Sequence, residues 1–599
     1  MTNSTVDARP TDEAAEIADS RLVPQLRMMA RALWASPVRN TLLILSGAVF
    51  AVIAVTAYGQ IRLNTWNQPF YDALSHRNLA QFEHQLGVFG VIAGALLVLN
   101  VAQRWLGETL KWRLRQGLVH DLIENWLVPG RAFRLGNAGA IGVNPDQRMH
   151  EDARHLTELT TDLGLGLLQS SILLASFVEV LWNLSNDFAF HVNGREFVVP
   201  GYMVWAAVLY SGSASLISYW VGRNLIDRNE QRYAREADLR FSLVRVNEHI
   251  DAVALAGGEA DEARRIAVDL AAVLKATVRL VAGLTNLAWI TSGYGWITLV
   301  APILVAAPLY FQGSLTFGGL MLASGAFLQV QSSLRWFVDN FSTIADWRAT
   351  LLRVAVFRRA VLESDVMHDS KSRIHYISGT SSNFDFENLR ISAPAGCCML
   401  QEAKVQIRPG ERVLIVAENG TGKTLLFRAL AGLWPWGSGS VTHPADMEIM
   451  YLPRTPYMSP GTLREILAYP MATEHFAAPA FANALTRSGL ARLIPDLDAQ
   501  RRWERELNDD EQQDLAFARV VLHQPAWLLI DEVLDSLDEV SLGRIAAIFT
   551  EDLAKAGVIY IGRNDTQQLF SRVLHLIKDS DAQALPVPAA ARAASTSHV

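Results

Sequence analysis

Four stretches of this chain carry no Asp, Glu, Lys or Arg: residues 40–61, 84–103, 197–222 and 280–334. A fifth, 163–186, is interrupted only by Glu179. A helix needs roughly 20 apolar residues to cross the hydrocarbon of a bilayer, so each of the shorter stretches holds one span. The stretch 280–334 is too long for one helix, and Gln312-Gly313-Ser314 divides it into two spans joined by a tight turn. Six transmembrane helices are expected. A buried core helix could account for any one stretch, but six in succession argue against it.

Composition agrees with a lipid-facing part joined to a globular one. The 599 residues are 50% hydrophobic and 19% charged, and the mean hydropathy is +0.15. The net charge of -7 and a pI near 6.1 leave no basic face for a nucleic acid, and none is expected as a partner. Cys397 and Cys398 are adjacent, which makes neither a disulfide framework nor a zinc site. The 14 histidines show no ligand spacing, so Mg²⁺ is the one metal expected.

Arginine placement sets the orientation. Arg31 and Arg39 precede the first span, Arg104, Lys111, Arg113 and Arg115 follow the second, and Arg223, Arg228 and Arg232 follow the fourth. Arg348, Arg353, Arg358 and Arg359 follow the sixth. The alternate loops carry far fewer, which predicts cytoplasmic termini. The long connections 104–162 and 223–279 have room to run a helix out of the membrane and back. Residues 1–30 and 581–599 read as disordered tails, 31–363 as the transmembrane domain, 364–383 as a linker and 384–580 as a nucleotide-binding domain. No secretory signal is seen, because the first 20 residues are polar and acidic.

In the soluble half, strand-like runs at Glu411–Val416, Glu448–Tyr451 and Trp527–Ile530 alternate with helical segments, which reads as an α/β domain. Between the first strand and the helix Leu425–Leu430 stands Ala417-Glu418-Asn419-Gly420-Thr421-Gly422-Lys423-Thr424, a phosphate-binding loop with Ala417 in place of the first glycine. Asn419, Gly420, Thr421 and Gly422 turn backbone N–H groups toward phosphates, Lys423 supplies charge, and Thr424 offers a hydroxyl to Mg²⁺. The apolar strand Trp527–Ile530 delivers Asp531, expected to hold Mg²⁺ through water, and Glu532, expected to polarise the attacking water. ATP with Mg²⁺ is the expected cofactor.

Taken with Leu507-Asn508-Asp509-Asp510-Glu511-Gln512-Gln513 ahead of Phe517-Ala518-Arg519, these motifs resemble those of ABC transporters. The membrane half is similar to the bacterial BacA/SbmA-related peptide importers with a fused nucleotide-binding domain. The likeness is carried by Asn64-Thr65-Trp66 with Phe70-Tyr71-Asp72-Ala73-Leu74, by Asn144-Pro145-Asp146-Gln147-Arg148 with Glu151-Asp152, and by Ala307–Gly313. The segment Ala431–Gly439, with its Trp434-Pro435-Trp436, is also shared with the peroxisomal fatty-acyl ABC transporters. The resemblance implies an ABC exporter-type fold: a homodimer of six-span protomers around a large polar cavity in the bacterial inner membrane. It implies import of peptides or other hydrophilic solutes.

Several positions depart from the family's pattern. Arg454 stands where a Gln follows Leu452-Pro453, Arg563 stands where the switch His follows Ile561-Gly562, and Asn508, Asp509 and Asp510 occupy the middle of the signature. Signature groups normally approach a γ-phosphate, and a carboxylate ~4 Å from it would repel by up to ~4 kcal/mol per unit charge at an effective dielectric of ~20. A solvated charge cluster is the bland alternative. The leading expectation is a transporter whose site binds ATP and hydrolyses it weakly. Proton-driven transport with a regulatory nucleotide domain, fatty-acyl transport, and a nucleotide-sensing membrane scaffold remain as alternatives. Glu179, alone in its span, marks a solute or proton pathway or a hydrated interface.

Overall fold

The computed structural model describes residues 22–136, 144–185, 189–192, 195–363, 373–379, 381–393, 396–418, 420–445, 447–537, 539–563 and 569–579. The chain divides into two compact units. One holds residues up to Glu124 and Asn144–Arg358; the other holds Asn125–Val143 and everything from Arg359 onward. Residues 1–21, 580–599 and the first nine residues of the expected linker, 364–372, lie outside the described residues, but the expected N-terminal tail of 1–30 is corrected: Leu22–Ala35 is a helix with Gln25 and Met29 buried. Within the remainder of that linker, His375–Ser378 is a strand paired with Gly437–His443 and so belongs to the soluble sheet.

Among the described residues of the first unit, five helical segments are long and apolar enough to cross a membrane: Arg39–Ser75, Leu79–Trp126, Pro145–Ser185, Tyr202–Glu248 and Glu259–Phe311. They outrun the charge-free stretches. The 48 residues of Leu79–Trp126 rise about 72 Å at 1.5 Å per residue, more than twice a hydrocarbon core. By this measure five are found where six were expected. The helix Phe317–Asp339 does follow a turn at Gly313, as expected, but Gln329, Gln331, Ser332, Ser333 and Arg335 dilute its apolar character. Its small residues are instead used for packing: Gly318, Gly319, Ala323 and Ala326 are buried where it meets Ala153–Ser185, Arg39–Ser75 and Tyr202–Gly222.

The segments that carried the family likeness act as joints inside this unit. Asp72 accepts hydrogen bonds from the Thr316 hydroxyl at 3.0 Å and the Gly318 N–H at 2.8 Å, and Asn64 donates to the Leu322 carbonyl at 3.2 Å. A Cβ on Gly318 would lie 2.0 Å from the Gln68 carbonyl, so no larger residue allows this approach. In the second segment, buried Asp152 accepts from Arg148 at 2.5 Å and from Arg353 at 3.1 Å, which ties the start of one helix to the Phe341–Glu363 helix. Arg358 closes a two-pronged pair on Asp121 nearby.

The second unit is built on a ten-stranded sheet. Its parallel part runs Arg572–Asp579, Arg412–Ala417, Gly557–Gly562, Trp527–Asp531, Ile449–Leu452. An antiparallel part adds Phe384–Ala393, Gly396–Leu400, Lys404–Ile407 and Gly437–His443. The strands Trp527–Asp531 and Gly557–Gly562 are wholly buried, as strands covered on both faces must be. Trp434 explains its own segment: its indole N–H donates to the Ser392 carbonyl at 3.1 Å, and the Tyr376 hydroxyl donates to the Ala429 and Trp434 carbonyls. These bonds clamp the antiparallel strands to the end of the helix Lys423–Leu430. From the excursion segment, the short helix Arg131–Gly136 places Phe133 against this same core, with the Arg428 guanidinium 5.6 Å from its ring centre.

Candidate functional site

Ligands of parallel sheets bind beyond the carboxyl ends of the strands, and three such ends meet here. The strand Arg412–Ala417 leads into the phosphate loop. Gly420 has φ +76° and Gly422 φ +107°, left-handed values that L side chains rarely adopt. Ala417 is a buried residue of the strand, paired with Leu576, so the missing first glycine costs nothing there. Thr421 is buried and its N–H donates to the Glu418 carbonyl at 3.2 Å. Asn419 lies outside the described residues. Cys398 forms the floor under Gly422, and burial pushes its thiol up to about 12, so it serves as neutral packing.

The helix Lys423–Leu430 begins with the two side chains that the loop exists to present. Lys423 is 6% exposed, and its ammonium pairs with Glu532. Thr424 hydrogen-bonds Asp531. Asp531 is almost wholly buried at the end of its strand, and burial lifts its carboxyl to about 6, against the pull of Thr424, Arg428 and Lys423. Its Oδ1 is buried with no hydrogen-bond partner. A buried carboxylate oxygen aimed past a threonine hydroxyl at the mouth of a phosphate loop fits a divalent cation, which would replace the missing partner. The residues therefore fit Mg²⁺ and a nucleotide triphosphate.

Glu532 stands in a left-handed conformation, φ +54°, with its N–H donating to the Ile561 carbonyl at 2.9 Å. That geometry turns its side chain back over the loop. One carboxylate oxygen meets Lys423, and the other lies 3.6 Å from Nη1 of Arg454, whose side chain is 74% exposed. Arg563 is held apart from them by Asp535. The Asp535 carboxylate accepts the Arg563 N–H at 3.2 Å, lies 3.7 Å from its guanidinium and also accepts the Tyr560 hydroxyl. Burial and Asp535 both push the Tyr560 phenol up. In sequence Asp535 stands out only as part of the run Asp535-Ser536-Leu537-Asp538 that follows the Asp531-Glu532 pair, and Tyr560 does not stand out. They are 25 residues apart and meet because the strand that holds Tyr560 neighbours Trp527–Asp531, which leads into the Val533–Ser536 turn that carries Asp535.

The structure thus brings Lys423, Thr424, Asp531, Glu532 and Arg454 together and hangs Arg563 beside them through Asp535. The signature residues form a separate group at the head of the helix Asp509–His523. Asn508 caps it: its side chain accepts the Glu511 N–H at 2.8 Å, and Glu511 accepts the Asn508 N–H at 3.2 Å. Asp509 and Asp510 are exposed in the first turn, and Arg492 pairs with Glu511. The helix is held at its middle by Arg519, which donates to the carbonyls of Ile466 and Tyr457 and whose guanidinium burial makes less basic. In the membrane unit, Glu179 is exposed on the Ala153–Ser185 helix, six residues before its end, and no hydrogen bond from it is seen among the described residues.

A family model described as ABC transporter transmembrane region 2 matches residues 30–310, and one described as ABC transporter matches residues 400–535. The chain is similar to the inner membrane ABC transporter ATP-binding protein YddA of Escherichia coli (strain K12). That protein is 26% identical over 544 residues, covering 90% of this chain and 95% of the relative. It is also similar to the chloroplastic ABC transporter D family member 2 of Arabidopsis thaliana, 26% identical over 642 residues, 95% of this chain and 88% of that one. Among solved structures, a bacterial Atm1-family ABC exporter with ATP bound matches with a TM-score of 0.65 at 15% identity, over 88% of this chain and 91% of that chain. That last likeness is one of fold.

Proposed function

We propose that this chain, a membrane ABC transporter related to YddA and the D family, works as a homodimer that takes up peptides or other hydrophilic solutes. It would do so through a central cavity, with nucleotide sites that bind ATP and hydrolyse it slowly. The finer relation to BacA/SbmA-related importers, six spans per protomer with Phe317–Asp339 as the sixth, residence in a bacterial inner membrane and cytoplasmic termini are parts of this proposal. The observation that carries the slow-hydrolysis reading is the head of the Asp509–His523 helix. Its N–H groups and dipole would ordinarily attract an anion, yet the Glu511 N–H is already taken by the Asn508 cap, and Asp509, Asp510 and Glu511 place three carboxylates in the first turn.

Bound Mg²⁺–ATP would bring the triphosphate and the charge that neutralises it. The chain's own groups then divide the work. Gly420 and Gly422 would supply backbone N–H groups, with Asn419 and with Thr421 once its N–H leaves the Glu418 carbonyl, and Lys423 would supply a cation. Thr424 and Asp531 hold the metal, and Glu532 orients water. Positioning and preorganised charge carry most of the rate in phosphoryl transfer. With Arg454, Arg563 and an acidic signature in place of the usual groups, turnover falls below the ~1 s⁻¹ low end of ordinary enzymes. The test is the purified protein in lipid. ATP should bind while hydrolysis stays slow, and brisk hydrolysis that Glu532→Gln removes would show an ordinary ATP-driven transporter.

A second reading, proton-driven transport with a regulatory nucleotide domain, is favoured by the exposed Glu179 on an apolar helix. Uptake assays in a transporter-null host, with and without an uncoupler, separate the two. A third reading, fatty-acyl transport, has as its support the Trp434-Pro435-Trp436 segment, whose packing within the soluble unit neither favours nor removes it.

A further inference from the structure

Lys423 and Glu532 compete with any nucleotide for the same contact. The Lys423 ammonium is the group on which phosphate oxygens must rest, it is buried, and the Glu532 carboxylate occupies it. The ammonium has three N–H donors, but a phosphate resting on it beside that carboxylate would bring two anions together, so the two compete for Lys423. The Glu532 backbone is pinned by its bond to Ile561 and need not move, so only its side chain has to swing. A carboxylate expelled from its cation and left without a partner in a site only 16% exposed would carry a desolvation cost. Here a second cation is waiting, because Arg454 Nη1 lies 3.6 Å from the other carboxylate oxygen and the rest of its side chain is free to follow.

We propose that Arg454 is a positioning residue for Glu532: when phosphate displaces the Glu532 carboxylate from Lys423, Arg454 takes it up. This rests on the reading of the site as one that binds nucleotide, and adds to it a competition built into the chain. Glu532 holds Lys423 in the nucleotide-free protein, and Arg454 lowers the cost of giving it up. A guanidinium does this better than a neutral side chain, because it offers the carboxylate a charge-assisted, two-pronged partner.

The arrangement makes a prediction about affinity that does not depend on hydrolysis. Full-length protein in nanodiscs would be titrated with the fluorescent analogue TNP-ATP in EDTA, so that no variant turns nucleotide over. Glu532→Gln keeps the shape and removes the competing charge, and should tighten binding about tenfold; Arg454→Gln strands Glu532 on Lys423 and should weaken binding about threefold or more. The two changes must not add. In the Glu532→Gln background there is no carboxylate to take up, and Arg454→Gln should change affinity by less than about twofold. If Arg454→Gln weakens binding equally in both backgrounds, Arg454 meets the nucleotide directly and the proposal fails. If Glu532→Gln leaves affinity unchanged, there is no competition for Lys423 and it also fails. In both cases nucleotide still binds, so the function proposed above survives. Absence of binding in every variant would overturn the nucleotide site itself, and the competition with it.

Discussion

At the scale of single residues the site is a set of charges kept in check by one another. Asp531 is the clearest case, with a carboxyl lifted by burial from 3.8 to about 6. A carboxylate raised in the folded state contributes stability that is present below its unfolded value near 4 and lost as pH rises through about 6. Nucleotide-free protein should therefore lose stability across pH 4–6, by up to about 3 kcal/mol from this group. Mg²⁺ with ATP should return much of that at pH 7.5 and little at pH 5, read as the shift in melting temperature over metal-free ATP. Asp531→Asn should remove the pH dependence of that shift. Tyr560 offers a second check. Its hydroxyl donates to a charged carboxylate within a buried site, so Tyr560→Phe should cost about 1.5–3 kcal/mol in denaturant unfolding of the soluble unit. The phosphate loop and the Asp531-Glu532 pair were legible in sequence because each is local: a strand, a few glycines and a helix, or a strand with two acids at its end. The Arg454–Glu532 and Asp535–Tyr560–Arg563 contacts were not legible, since the sheet brings together residues separated by 78 and by 25 or more positions.

At the scale of elements, the signature helix shows how stability and activity can pull apart. Aspartates in the first turn and a capping box suit an isolated helix, since both satisfy its exposed N–H groups and dipole. They also close that end to phosphate. Asp509→Ser with Asp510→Gly should therefore raise ATP turnover in lipid while lowering the melting temperature slightly, and a double variant with slower turnover would refute the repulsion argument. Asn508→Ala, by contrast, should cost about 1 kcal/mol of stability, the usual worth of a cap. Element recognition from sequence followed the same logic of local signals. The parallel strands Arg412–Ala417, Ile449–Leu452 and Trp527–Asp531 lie within one residue of the expected runs, because each reads as a short, largely apolar segment. The strand Gly437–His443, GSGSVTH, reads locally as a turn and exists only because Phe384–Ala393 and His375–Ser378 flank it. The Asn125–Val143 segment was likewise expected to be part of a membrane excursion, and only the packing of Phe133 on the core of the soluble unit assigns it there.

At the scale of the whole molecule, the charge-free stretches marked where helices cross but not how far they run. The hydrocarbon sets a minimum length and the aqueous part of a helix follows amphipathic patterning, so Leu79–Trp126 and Tyr202–Glu248 continue well past the windows that announced them. Phe317–Asp339 marks the converse limit. A helix packed against four others can exchange apolar residues for small and polar ones, and its membrane character fades from the composition. Glu179 is where this reasoning meets function. An ionisable group on a membrane helix is costly unless it meets water or a partner, and by default it marks a pathway. It is exposed on a helix whose opposite face, through Leu173, Phe177 and Leu181, is buried in the core of the unit, so its role is not to hold the helices together. Glu179→Gln should accordingly leave expression and melting temperature within error of the parent chain. Uptake of a fluorescent peptide into a transporter-null host should fall at least tenfold, a loss of about 1.4 kcal/mol or more in the transport step. A carboxylate that only hydrates an external interface would tolerate the change, and uptake at the parental rate would assign Glu179 to that lesser role.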